Sequence, residues 1–167
     1  MINPRRLSDA VAAALQSIPD LVSAMNGTEN IQAFHYQYGQ DRNLTATIAD
    51  MTAPSILVVW LKAEGGTSGF DGTTLRQHYL EVIIRMDNVA NVDDPVAYED
   101  IITMIHNEPV LGGTQSLLYT NLLQNGAGSN QVEIPDTPNM EHRIDENGTD
   151  YFIITLVIPE IGENLNG

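Results

Sequence analysis

The chain has 167 residues, with 22 acidic side chains against seven basic ones, a formal net charge of −15 and no cysteine. That length suits one domain with its own apolar core. The charge argues against nucleic-acid recognition through phosphates and against docking on anionic lipid, while the missing thiols exclude disulfides, thiolate nucleophiles and zinc–thiolate sites.

The elements follow in chain order. Asn3 is placed to cap a helix with Pro4 in its first position. Leu7, Val11, Leu15 and Ile18 recur at helical spacing, so a helix is expected from about Pro4 to Ser17. The two arginines behind Pro4 are followed by no apolar stretch, so no signal peptide is expected, and no segment has the length and hydropathy of a membrane span. Pro19 interrupts the helix, and Asp20–Met25 reads as a short second one closed by Asn26-Gly27. Ile31–Tyr38 reads as a strand, with Phe34, Tyr36 and Tyr38 on one face. Leu44, Ile48 and Met51 fit a helix behind an Asn43 cap, although the same residues also alternate. Ala53-Pro54 ends that segment.

Ser55–Lys62 is a continuous apolar run, expected as a central strand buried on both faces. Ala63–Thr73 is glycine-rich and reads as a loop carrying one aromatic, Phe70. Leu75–Met86 is a long strand. Leu80, Val82, Ile84 and Met86 share one face; Tyr79, Glu81, Ile83 and Arg85 share the other, a mixed set expected to be partly solvated or covered by a partner.

Asp93-Asp94-Pro95 opens a further helix with Tyr98, Ile101, Ile102 and Ile105 as its stripe, and Pro109 stops it. Gln115–Leu123 fits either a short helix or a strand. Gln124–Asn139 reads as a loop or arm with strand character near Gln131–Ile134. The clearest signal closes the chain: a polar arm from Met140, a two-residue turn at Asn147 and Gly148, and a β-branched and aromatic strand from Asp150 to Ile158. The order predicts an α+β fold, a mixed and mainly antiparallel sheet with helices packed on one face. A single domain covers 1–167, with an extended arm or loop at 109–139.

Catalytic signals are weak. His35, His78, His106 and His142 are scattered, without metal-binding spacing, and read as solvated or hydrogen-bonded side chains. Asp145–Asp150 lacks the twelve-residue pattern of a calcium loop and reads as a turn. There is no Gly-x-Ser-x-Gly, and neither Gly65-Gly66 nor Gly112-Gly113 is followed by the lysine of a phosphate-binding loop. With 22 acids in the chain, close carboxylate pairs are inevitable and carry little weight. No enzyme activity, cofactor or metal is therefore expected.

Several segments resemble the tail terminator, or tail-completion, proteins of long-tailed bacteriophages. Leu15-Gln16-Ser17-Ile18-Pro19-Asp20-Leu21 is similar to that family's opening helix and proline, and Ala53–Trp60 to its central strand. His78–Val82 is similar to its following strand, and Arg143–Phe152 with Pro159-Glu160 to its closing hairpin. The resemblance covers most of the chain as a pattern of elements and soft motifs, and is poorest between Pro109 and Asn139. It implies a homohexameric ring in the virion neck, assembled in the host cytoplasm, capping the tail tube and meeting a head-closure or neck protein while DNA passes through the channel. It implies no catalysis. Phe70, Arg76, Tyr79, Glu81 and Arg85 are the candidate residues facing another subunit or the tube. A closed ring needs two different patches per subunit, which the mixed strand face and the two long loops are expected to supply. The alternatives are another neck or tail-tube component and a small acid-rich metal-dependent hydrolase.

One consequence of the charge is directly testable. Purified protein mixed with duplex DNA at physiological salt is expected to leave the DNA unshifted in a gel, because seven scattered bases offer no cationic footprint to release counterions. A tight complex at moderate salt would contradict this and remove the channel as well.

Overall fold

The computed structural model describes residues 2–36, 44–68, 73–86, 97–113, 115–124, 131–132, 139–144, 146, 148 and 150–163. The features expected at Tyr38, Asn43, Phe70, Asp93–Pro95, Asp145 and Asn147 lie outside these residues.

Helix α1 spans Pro4–Gln16; Asn3 Oδ1 accepts the Arg5 amide, so the cap is as the sequence predicts. Leu7, Val11 and Leu15 are fully buried along its inner stripe. Pro19 starts α2 (Pro19–Ala24), and the chain reverses at Asn26 (φ 60°) and Gly27 (φ 131°), a conformation glycine adopts at little cost. Strand β1 is only Ile31–Ala33 and lies parallel to β2 (Ser55–Ser68). The predicted strand to Tyr38 shortens because Phe34, after one further bond to the Val58 carbonyl, turns into an apolar cluster on the opposite face of the sheet. Helix α3 (Leu44–Ala49) leads to the Ala53-Pro54 bend before β2.

Strand β3 (Thr73–Arg85) pairs antiparallel with β2 on one side and with β6 (Asp150–Glu163) on the other. Between them lie α4 (Tyr98–Asn107), α5 (Leu117–Gln124), β4 (Gln131–Val132) and β5 (Asn139–Ile144). The sheet order is β1-β2-β3-β6, with β4 and β5 sharing the outer edge of β6. This is an α+β fold with a mixed, mostly antiparallel sheet.

Strand alternation divides the core in two. Ile56, Val58, Leu80, Val82, Ile84, Ile154, Leu156 and Ile158 pack against α1, α2, α4 and α5. Their neighbours Leu57, Val59, Ile83, Tyr151 and Ile153 form a second cluster with Phe34, against which Leu44, Ile48 and Met51 pack. Helical cover is thus not confined to one face: the α3 segment holds part of the other.

Three expectations need correction. Ala63–Thr73 is not one loop, since β2 runs on to Ser68 with register shifts after Trp60 and after Gly65. Gly65 suits this course, because a Cβ there would lie 3.1 Å from the Arg76 side chain. The 109–139 segment is not simply an arm: α5 packs on α1, Leu118 is fully buried, and Ser116 Oγ accepts the Tyr119 amide at the helix start. The final connection is five residues long rather than two, because Ile144 pairs with Asp150; Gly148 nevertheless has φ +77°. Strand β6 also continues through Pro159, which falls between the stretches paired to β5 and to β4. Among the described residues, no helix is long and apolar enough to cross a membrane.

A polar chain crosses the main core. The Trp60 indole, which can only donate, gives its hydrogen to His78 Nδ1 at 3.1 Å. His78 Nε2 therefore carries the ring's own hydrogen and donates it to Glu160 Oε2 at 2.5 Å. Glu160 Oε1 accepts the Ile2 amide at 2.9 Å, fastening the N-terminal segment to β6. His78 and Glu160 are 0% and 1% exposed. Glu160→Ala is expected to lower unfolding stability by roughly 3 kcal/mol, since it orphans two buried donors at about 1–3 kcal/mol each. Glu64→Ala on the solvent side should leave the denaturation midpoint in place. Gly148→Val should cost about 1–3 kcal/mol through its backbone angle, and Leu156→Asp more. Unfolding followed by the fluorescence of Trp60 measures all four.

Candidate functional site

The sheet surface not covered by α3 is the site best set apart from the core. Along β6, Leu156, Ile158 and Glu160 are buried, whereas Thr155, Val157, Pro159 and Ile161 on the opposite face remain partly exposed. Leu75 follows on the same face of β3 at 40% exposure, and Leu61, in the bulge of β2, is 39% exposed. Tyr79, Gln77, Lys62 and Glu64 share this region. Lys62 Nζ lies 4.9 Å above the Tyr79 ring and pairs with Glu64. The Tyr79 hydroxyl lies 3.1 Å from both Glu64 Oε2 and Gln77 Oε1. These contacts hold the Glu64 carboxyl below its ordinary range, the Lys62 bond first, and raise the Tyr79 phenol, the Glu64 bond first.

Glu81 sits one inward-pointing residue away from Tyr79, halfway into the sheet. Burial raises its carboxyl above the usual range; Arg143 opposes this and Glu141 adds to it. Arg143 in turn pairs with Glu141 on β5. The result is an apolar strip with a rim of paired charges, an arrangement suited to binding by area and by hydrogen bonds.

The structure brings together only part of the predicted interface. Tyr79 and Glu81 are half-buried on the sheet face that carries Leu75 and Val157. Arg85 shares that face but is committed within the subunit, donating to the Met51 carbonyl at 2.7 Å and to that of Ile48 at 3.5 Å. Arg76 is on the other face, over Gly65. Phe70 and Asn147 lie outside the described residues, and Gly148 serves the final turn. Sequence reasoning missed Leu61, Val157 and Ile161, because continuous apolar runs do not announce which alternate residues remain uncovered.

Two clefts indent the surface of the molecule. One, of about 350 Å³, is lined by Asn3, Pro4, Arg5, Ser8, Phe34, His35, Tyr36 and Trp60. The other, of about 420 Å³, is lined by Met86, Ala97, Tyr98, Glu99, Ile102, His142, Asp150 and Phe152. His142 pairs with Asp150 there, as His35 pairs with Asp9 beside the first. A histidine–carboxylate pair is the orienting part of a nucleophile-activating triad. Among the described residues, the lining of the second cleft includes no serine, threonine or lysine. Among the described residues, no group of three or more His, Asp or Glu side chains is placed to hold a metal.

Glu81 generates a prediction with a definite sign. A carboxyl raised in the folded state binds more protons there than in the unfolded chain. Its contribution to stability therefore falls as pH rises from the ordinary carboxylate value through the raised one. Glu81→Gln should raise the melting temperature at neutral pH and flatten its dependence on pH in that window; an unchanged profile would remove Glu81 from the buried side of the rim. No protein-family profile matches the sequence, and no curated protein matches it.

Proposed function

We propose that the chain is a structural, non-enzymatic virion subunit that forms a six-membered ring closing the tail tube of a long-tailed bacteriophage, where the tail meets the head's neck proteins. The observation that carries the proposal is the uncovered sheet face. Leu61 and Leu75 are exposed, Val157 and Ile161 are partly exposed, and paired charges surround them. A surface of this kind loses its water on meeting a partner, with a gain proportional to the apolar area removed. The stoichiometry of six and the tail tube as partner come from the resemblance of the elements and soft motifs to tail terminators. The −15 charge fits a ring through which DNA slides without adhering. An exposed sheet face does not by itself specify six copies, so another neck or tail-tube component is the second reading, separated from the first by stoichiometry and by position on the particle.

The test is association with tails. The protein should bind isolated tail tubes at the head-proximal end in six copies per tail, seen by imaging. Leu75→Asp combined with Val157→Asp should abolish that association while leaving the melting curve close to that of the parent, because both side chains are already partly solvated. A count other than six favours the second reading, and no association with tails removes both.

A further inference from the structure

The hydrogen-bond chain from Trp60 to Ile2 leaves His78 Nδ1 as an acceptor. The Trp60 indole can only donate, and its hydrogen points at Nδ1 across 3.1 Å. His78 Nε2 donates to Glu160 Oε2, and the Ile2 amide donates to Glu160 Oε1. Nδ1 is therefore unprotonated, with its lone pair turned to the indole. A proton added there sets two donors face to face, and the Trp60 bond is lost. The other side of the ring is spared: Nε2 keeps its hydrogen and its acceptor, and the bond becomes charge-assisted as the imidazolium forms beside the carboxylate. The three side chains also differ in freedom. His78 and Glu160 are buried, whereas Trp60 is half-buried and forms part of the wall of the first cleft, with Ser8, Phe34 and Tyr36. The indole is the member with room to move.

We propose that His78 is a proton-operated latch on the first cleft: on acidification Nδ1 takes a proton, the Trp60 indole lets go and turns out of the wall, and the His78–Glu160 bond holds β3 to β6 throughout. The proton comes from water and bonds to the Nδ1 lone pair; the interaction lost is the N–H···N bond. The latch is independent of the proposed ring. Among the described residues, several charged or titratable groups surround this end. Arg76 stands across the ladder from Glu160. Arg5 of α1, the Tyr36 phenol and His35, which pairs with Asp9, are at the cleft. β4 meets Glu160 through Val132, and α5 packs on α1; neither carries a charged side chain, although α5 holds Tyr119. Lys62 and Glu64 turn to the opposite face of β2, with Tyr79. His35 is the second imidazole at the cleft, so its titration has to be set apart from that of His78.

Trp60 is the one tryptophan in the chain, so its indole gives a single N–H resonance. The test follows that resonance, the ring-nitrogen resonances of the histidines and acrylamide quenching of Trp60 emission in the full-length chain. It runs from about pH 8 to about pH 5, the range in which imidazoles change charge. His35→Gln, titrated in parallel, removes the second imidazole, and the separate ring-nitrogen signals of His35 and His78 make the same distinction in the parent. At the upper end His78 should show a bare Nδ1 and a protonated Nε2. As Nδ1 takes its proton, the indole hydrogen should lose its hydrogen-bonded shift and acrylamide quenching should rise. Both changes should keep step with His78 and persist in His35→Gln, while the backbone amide signals of β3 and β6 stay in place. An indole resonance that holds still while Nδ1 is protonated overturns the latch, as does an indole change that follows His35 instead. An Nδ1 that stays bare across the whole range overturns it too. So does loss of the indole bond only together with the amide signals of the whole fold, because the chain is then a fastening and not a latch.

Discussion

β3 is paired on both sides along nearly its whole length, with β2 from Thr74 to Arg85 and with β6 from Thr73 to Ile84. Its register therefore decides which residues every other element meets. Leu80, Val82 and Ile84 face the main helices, while Tyr79, Glu81, Ile83 and Arg85 face the other way. A slip of one residue would drive Glu81 and Arg85 into the α1 core and expose three buried aliphatic side chains. The bulge after Trp60 acts within this constraint. It restores phase between β2 and β3, so that Trp60 meets Leu80 and Lys62 meets Tyr79, and it pushes Leu61 outward.

The chain from Trp60 through His78 and Glu160 to Ile2 adds a second, directional constraint. Burying a carboxylate is costly unless its lone pairs are used. Glu160 receives hydrogens from His78 and from the Ile2 amide, and the Trp60 indole fixes which His78 nitrogen can donate. An apolar replacement could fill the same volume, but it would not tie the residue before Asn3 to the last strand. This tie fixes the start of α1 against the sheet, where Arg5 and Trp60 line one cleft, so a buried hydrogen-bond chain shapes an exposed cleft.

Much of this was legible in the sequence. The Asn3-Pro4 start of α1, the breaks at Pro19 and Asn26-Gly27, the alternation of β3 and the β-branched run of β6 are local signals of capping, backbone angle and periodicity, and the structure follows them. What was not legible depends on partners distant in the chain. Gly65-Gly66 suggested a loop, but the Arg76 side chain packs over Gly65 and the ladder with β3 carries the strand through. Leu44, Ile48 and Met51 suited helix and strand alike, and their place against the second face depended on Phe34 and Ile83 being there to receive them. Arg85 looked like an interface residue because an arginine on a mixed face reads as exposed; the carbonyls of Ile48 and Met51 that engage it are more than thirty positions away. His78 and Glu160, separated by 82 positions, gave no motif.

Strong acidity and self-association are compatible on the proposed ring because they act over different distances. The diffuse repulsion among copies at −15 each is a sum over many exposed charges, most of them separated by more than the screening length of about 8 Å at physiological ionic strength. A cation and a carboxylate brought to about 4 Å at a partly desolvated joint are screened much less. Salt thus removes more of the repulsion than of the attraction. On the proposed ring, the apolar strip around Leu75 and Val157 would contribute affinity through the water it releases.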